Sequence, residues 1–254
     1  MSVLVESDGP VTIVTIDRPY RRNAVDPDAA VALRSAFSAF AADDNAQVAI
    51  LTGSNGHFCA GFDLNAVGTS RYDPDGPGPM GPTRMLLEKP VIAAVEGHAV
   101  AGGLELALWC DLRVAAESAV FGVYCRRWGV PLIDGGTVRL PRIVGQGRAL
   151  DMILTGRPVA ADEAQRIGLA DRVVPDGGAL AVAIELAKQI AAFPQICMNS
   201  DRMSAYRQWD FDIEAALAHE AHAGVAPLRE GAVAGAKRFT EGAGRSGSFS
   251  TGGE

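Results

Sequence analysis

The sequence contains little cysteine, and its cysteines are not grouped. The four of them, Cys59, Cys110, Cys125 and Cys197, are scattered through the 254 residues without paired spacing. This scattered arrangement argues against a disulfide framework and against a zinc site, because both normally show cysteines at regular, closely spaced positions. We therefore predict free thiols and no metal site.

An excess of positive charge is also missing, since 23 Lys and Arg stand against 30 Asp and Glu and the net charge is −7. A nucleic-acid-binding protein normally carries a basic stripe, and none is visible here, so no nucleic-acid partner is expected. An acidic protein can still bind an anionic ligand through a local basic cluster. The densest early cluster is formed by Arg18, Arg21 and Arg22.

Long hydrophobic runs are absent as well. The longest, such as residues 90–95, fall far short of the roughly 20 residues that a membrane span requires. The first residues show no basic region followed by an apolar stretch, which a signal peptide would have. We predict a cytoplasmic protein without a membrane partner.

What is present indicates a globular α/β protein, with 48% hydrophobic and 21% charged residues. Residues 11–16 alternate in the manner of a strand, and 48–53, 90–95 and 112–115 have the composition of buried strands. Asp26-Pro27 resembles the start of a helix, with an N-cap and a proline at the first position. Strands alternating with helices predict crossover connections and a mixed, mostly parallel sheet.

Three regions are predicted along the chain. Residues 1–194 form the α/β core, residues 195–241 contain only helical patterns, and the Gly- and Ser-rich residues 242–254 form a disordered tail. Residues 68–82 are rich in Gly, Pro and Asp, which predicts a functional or mobile loop.

The segment 89–110 is the first candidate for chemistry. A strand ends near Gly97, and Gly102-Gly103 open an apolar helix whose first N–H groups lack intrahelical partners. Together with the helix dipole, this end suits negative charge developing on an oxygen. The alternative is that the glycine pair only allows tight packing between helix and strand.

Glu105 lies within this helix, between apolar neighbours, and is expected to be buried. Glutamate is rarely buried unless it is paired or functional. Burial would raise its pKa and favour acid–base work, whereas the alternative is a buried ion pair.

Residues 58–64 (FCAGFDL) and 89–111 resemble, in order and spacing, the two signature segments of the enoyl-CoA hydratase, or crotonase, family. The resemblance implies a ββα spiral core and a C-terminal helical region used in assembly of a homotrimer or a dimer of trimers. It also implies an enoyl-CoA hydratase-like lyase acting on an acyl-CoA thioester, with coenzyme A as part of the substrate and no separate cofactor.

Carried over by position, the resemblance places an oxyanion hole at the N–H groups of Ala60 and Gly102 and the first catalytic glutamate at Glu105. The second catalytic glutamate falls on Cys125, a departure from the pattern. Substrate-binding positions are implied at Gly61, Phe62, Asp63, Arg22 and Ala24.

The departure at Cys125 leaves the reaction open. Asp134 is a possible substitute carboxylate, or else an N-cap for a helix that starts at Gly135. Isomerase, hydrolase and decarboxylase chemistry remain alternatives, as does a non-catalytic acyl-CoA-binding protein. His57 is expected to be exposed, His98 to be structural, and Trp128 to belong to the acyl pocket or the core.

Overall fold

The computed structural model describes residues 2–69 and 72–244. The chain divides into two compact units, one up to Ala191 and one from Ala192 onward. Most of the predicted tail, residues 245–254, lies outside the described residues.

Strand formation follows the sequence pattern closely, with 11–16 and 48–53 observed as predicted. The strands of the described residues are β1 (Val3–Asp8), β2 (Val11–Ile16), β3 (Val48–Gly53), β4 (Val91–Val95), β5 (His98–Val100), β6 (Leu112–Ala116), β7 (Val120–Gly122), β8 (Val159–Ala160) and β9 (Arg172–Val174). A six-stranded sheet has the order β1-β2-β3-β4-β6-β9, antiparallel only between β1 and β2. The predicted mixed, mostly parallel sheet is confirmed.

The helices of the described residues are α1 (Pro27–Ala42), α2 (Gly102–Trp109), α3 (Gly136–Val144), α4 (Gln146–Thr155), α5 (Ala161–Arg166), α6 (Ala179–Ala191), α7 (Gln195–Arg207), α8 (Ile213–Ala223), α9 (Val225–Pro227) and α10 (Val233–Thr240). Helix α1 begins as predicted, because the Asp26 carboxylate accepts a hydrogen bond from the N–H of Ala29 at 2.9 Å.

The large sheet is buried on both faces, as parallel sheets usually are. Alternate residues such as Val14 and Leu51 share one core cluster with Phe37 of α1, together with residues of α2. The intervening residues, such as Ile13 and Ile50, pack in a second cluster with α6.

A second, smaller sheet brings the predicted functional segments together. Strand β5 pairs with β7 on one side, and its residue Ala99 forms an isolated bridge with Cys59 on the other. The turn 58–62 therefore lies beside the start of α2, although the two are separated along the chain.

The unit from Ala192 onward is helical, with α7, α8, α9, a π-helical turn at Leu228–Ala232, and α10. In the part of the chain that the structure describes, no single helix is long and apolar enough to cross a membrane. The consecutive helices Ala179–Ala191 and Gln195–Asp210 meet that criterion only together, as a bent pair.

Candidate active site

The site forms where two backbone turns meet at the first residue of α2. The N–H of Cys59 donates to the carbonyl of His98 at 2.8 Å, and the N–H of Val100 donates to the carbonyl of Cys59 at 3.1 Å. A Cβ built on Gly61 would lie only 3.0 Å from the amide nitrogen of Gly102. Glycine at 61 is therefore required for this close approach, and its φ of +102° also favours glycine.

The two glycines that open α2 differ in their surroundings. A Cβ on Gly103 would overlap the carbonyl oxygen of Cys59, so this glycine serves tight packing. A Cβ on Gly102 would instead lie 2.6 Å from the sulfur of Met80. The packing alternative thus applies to Gly103 and leaves the amide of Gly102 as a candidate donor.

The prediction that Ala60 supplies an oxyanion donor is wrong. Its N–H already donates to the carbonyl oxygen of Arg22 at 3.0 Å. An amide engaged in this way cannot also point at a substrate oxygen.

The available donor in this turn belongs to Phe62. Val25 pairs with this segment by donating to the carbonyl of Gly61 and accepting from the N–H of Asp63, both at 2.8 Å. Alternation along the extended chain then turns the N–H of Phe62 away from Val25. Within residues 2–69 and 72–244, neither this N–H nor that of Gly102 has a hydrogen-bond partner.

A cavity of about 250 Å³ is lined by Phe62 and by Ala101, the residue that precedes Gly102. Its lining residues are Arg22, Ala60, Phe62, Leu64, His98, Val100, Ala101, Tyr124, Cys125, Trp128 and Val130. Most of the wall is apolar, and the exposed guanidinium group of Arg22 supplies positive charge. Such a cavity suits an apolar chain attached to an anionic carrier.

Glu105 is buried as predicted, with 3% of its surface exposed. Its Oε1 accepts hydrogen bonds from the backbone N–H groups of Asp134 and Gly136, both at 2.9 Å. Burial raises the pKa of Glu105 to about 7, and the nearby negative charge of Asp134 acts in the same direction. The group is therefore set for proton transfer near neutral pH.

Asp134 is not the helix cap that the alternative interpretation expected. Helix α3 begins at Gly136, Gly135 is the N-cap residue, and no side chain caps this end. Instead, the Asp134 carboxylate accepts from the N–H of Met80 at 3.0 Å and from the hydroxyl of Thr83. Burial raises its pKa, and these two hydrogen bonds oppose that effect.

Cys125 lies in the cavity wall, within a 3-10 helix at Tyr124–Trp128. Burial raises the pKa of its thiol, and the charge of Glu105 raises it further. At neutral pH this thiol is therefore protonated, so Cys125 places a neutral group where the resemblance implied a carboxylate.

Arg18 and Asp63 have structural partners rather than positions in the cavity wall. Arg18 is buried and donates to the carbonyl of Ala24, and it pairs with Asp26 at 2.5 Å and Asp63 at 3.3 Å. The arginines of the early basic cluster therefore have different roles. Arg22 lies in the cavity wall, whereas Arg18 binds groups of its own chain. Asp63 and Ala24 are not among the residues that line the cavity, and the substrate contacts implied for them stay predictions.

The two histidines were partly mispredicted. His57 is half-buried rather than exposed, and its Nδ1 lies 3.4 Å from the Nδ1 of His98. His98 lines the cavity, and burial lowers its pKa, with the neighbouring His57 and Arg22 adding to the effect. Trp128 lines the cavity but is 69% exposed, so it is not part of the core.

Within the described ranges, no group of three or more His, Cys, Asp or Glu side chains is arranged to hold a metal ion. The site combines two amides without partners in the described chain, one buried carboxylate and a largely apolar cavity.

Comparison with known proteins gives this geometry its context. The family model for enoyl-CoA hydratase/isomerase matches residues 6–241. The enoyl-CoA hydratase EchA19 of Mycobacterium tuberculosis is 43% identical over 74% of both chains. A carnitinyl-CoA dehydratase of Salmonella arizonae is 37% identical over 86% of this chain and 88% of its own.

A solved structure shares the fold and confirms the crotonase-type architecture. The enoyl-CoA hydratase EchA1 of Mycobacterium marinum superposes with a TM-score of 0.90 at 34% identity, covering 94% of this chain and 96% of its own. With the family model matched over most of the sequence, the chain belongs to the enoyl-CoA hydratase/isomerase family.

Proposed function

We propose that this protein is an enoyl-CoA hydratase-like lyase in which the N–H groups of Phe62 and Gly102 hold the thioester oxygen. The proposal rests chiefly on one observation: the amides of Phe62 and Gly102 lack partners in the described chain, Phe62 lines the cavity, and the buried Glu105 follows Gly102 on the same helix. Donors aimed at a developing oxyanion are each worth roughly 3–4 kcal/mol.

In this proposal Glu105 handles both proton transfers. Its ionised carboxylate removes a proton from water, the water oxygen bonds to Cβ of the enoyl group, and negative charge moves to the thioester oxygen. Glu105 then returns the proton to Cα as the enolate collapses. A pKa of about 7 makes both directions accessible at neutral pH.

The coenzyme A moiety is proposed to reach the cavity past Arg22. Its guanidinium group is exposed and suited to phosphate, whereas Phe62, Val100 and Val130 provide apolar wall for the acyl chain. No separate cofactor is proposed, because water and the thioester supply every atom of the hydration reaction.

The test is turnover by the purified protein of a panel of acyl-CoA thioesters, including crotonyl-CoA, with product analysis by mass spectrometry. Addition of one water to an enoyl-CoA would support the hydratase. Isomerised, hydrolysed or decarboxylated products would replace it with another reaction of the same site.

Cys125 favours one alternative, a non-catalytic acyl-CoA-binding protein, because it removes a carboxylate that the resemblance implied. Micromolar binding of thioesters without turnover of any panel member would support that alternative. Against it stands Glu105, since a protein that only binds has no need of a buried carboxylate, which is costly to desolvate.

We also propose assembly into a homotrimer or a dimer of trimers through the C-terminal helices. Large apolar side chains there are exposed, among them Ile213, Leu217, Leu228, Val233 and Phe239. So many apolar groups in water indicate a surface that another chain covers. Light scattering that gives a stable monomer at micromolar concentration would contradict this assembly.

The cytoplasmic location of the protein stays a prediction.

A further inference from the structure

Asp134 connects three segments through all of its polar groups except Oδ2. Its N–H donates to Oε1 of Glu105 at 2.9 Å, and its carbonyl oxygen accepts from Nη1 of Arg139 at 3.0 Å. Its Oδ1 accepts from the N–H of Met80 and the hydroxyl of Thr83. The residue is 3% exposed, so these bonds form away from water and are not shared with solvent.

The segment held by Asp134 is a tight turn over residues 78–83. The N–H of Gly81 donates to the carbonyl of Gly78 at 2.8 Å, and Nη2 of Arg139 donates to the carbonyl of Thr83 at 2.7 Å. A Cβ on Gly78 would lie 2.5 Å from Oδ1 of Asp134. The backbone of the turn at Gly78 therefore lies so close to the Asp134 carboxylate that a side chain at this position would not fit.

This turn places Met80 against the first residue of α2. Met80 is fully buried, and its sulfur would lie 2.6 Å from a Cβ on Gly102. The thioether thus packs on the α-carbon of the residue whose N–H is a proposed oxyanion donor. A shift of the turn would release that packing at the first residue of α2.

We infer that Asp134 is a positioning residue that sets Glu105 and Gly102 relative to each other, rather than a proton carrier. Through its N–H it holds the carboxylate of Glu105, and through its side chain it holds Met80 against Gly102. Both hydrogen bonds that Oδ1 accepts come from the turn 78–83, so the carboxylate holds that turn. The kinetic consequence rests on the proposed function, whereas the structural consequence does not.

The two roles differ in how they respond to Asp134→Asn and Asp134→Ala. Asparagine keeps an Oδ1 that can accept from Met80 and Thr83 but cannot carry a proton; alanine loses both bonds. We expect Asp134→Asn to retain at least about a third of crotonyl-CoA turnover and Asp134→Ala to lose about tenfold or more in kcat, with KM changed less than about threefold. Equal losses in the two variants, or loss of one limb of the pH–rate profile in Asp134→Asn, would overturn the inference.

A second pair of variants covers the case in which Asp134→Ala does not fold. Thr83→Ser keeps the hydroxyl donor and Thr83→Val removes it at similar volume. Thr83→Val should lower kcat, and Thr83→Ser should restore it; no difference between them overturns the inference. Asp162→Ala, which removes an exposed carboxylate paired with Arg166, serves as the control and should leave kcat unchanged.

Amide hydrogen exchange separates this inference from the proposed function. Peptides covering residues 78–85 should exchange faster in Asp134→Ala than in the wild type, and at the wild-type rate in Asp134→Asn. If the wild type turns over no thioester, the proposed function fails, yet this exchange pattern would still support the positioning role. Unchanged exchange in Asp134→Ala would overturn it whatever the activity.

Discussion

The Oε1 atom of Glu105 lies 2.9 Å from the amide nitrogen of Gly136, the first residue of α3. A Cβ on Gly136 would lie 3.0 Å from both Cγ and Oε1 of Glu105, so only glycine permits this approach without a shift. One carboxylate oxygen is thus fixed by two backbone donors, Gly136 at the start of α3 and Asp134 just before it. The hydrogen bonds to Oε1 position the Glu105 side chain, whereas proton transfer is its proposed chemical role.

Glu105→Gln is expected to lower turnover by roughly a hundredfold or more, the loss typical of removed acid–base catalysis. The Gln Oε1 can accept the same two hydrogen bonds from Asp134 and Gly136, so folding should be preserved. Steady-state kinetics and thermal unfolding measure the two effects. Full activity in this variant would remove Glu105 from the mechanism.

Stability should fall as pH rises between about 4.3, the usual pKa of a free glutamate, and the folded value of about 7. The sign follows from the raised pKa: the folded state binds the Glu105 proton more tightly than the unfolded chain does, so the stabilisation is fully present below 4.3. It is lost as the pH rises through 7. Denaturant unfolding of the wild type and Glu105→Gln at pH 5 and pH 8 checks this, because the variant should lose less stability than the wild type over that interval.

Gly103→Ala should destabilise the protein by roughly 1–3 kcal/mol, since the new methyl group would meet the backbone carbonyl of Cys59, which cannot move freely. Gly147→Ala is the matched control in α4, where a Cβ meets nothing within 4 Å. That change should be neutral or stabilising by up to about 1 kcal/mol, as alanine is the better helix former. Equal unfolding free energies for the two variants would contradict the packing described here.

Cys125→Glu should raise crotonyl-CoA hydration if the missing second carboxylate limits the reaction. It should also raise the pKa of Glu105 further, because a second negative charge would lie nearby, as the effect of Glu105 on the pKa of Cys125 indicates. The pH–rate profile would then shift upward. Cys125→Ser, a neutral control of similar size, should leave turnover within about threefold of the wild type; a larger loss would give the thiol a role of its own.

Much of the fold and the central carboxylate could be predicted from local patterns. Strands β2 and β3 follow from runs of β-branched and apolar residues, and α1 follows from Asp26 and Pro27 at its start. Burial of Glu105 follows from its apolar neighbours on α2. Each of these depends on the period or the chemistry of adjacent residues, which the sequence displays directly.

The identity of the oxyanion donor and the role of Asp134 were decided only by tertiary structure. Ala60 and Phe62 are two residues apart in one segment, and only pairing with Arg22 and Val25 determines which N–H is taken and which is left. Likewise, nothing near Asp134 in the sequence indicates that its carboxylate holds a turn some fifty positions earlier. Hydrogen bonds between distant segments exist only once the chain has folded, so the sequence by itself determined which groups were available and the fold decided which of them remain free to act.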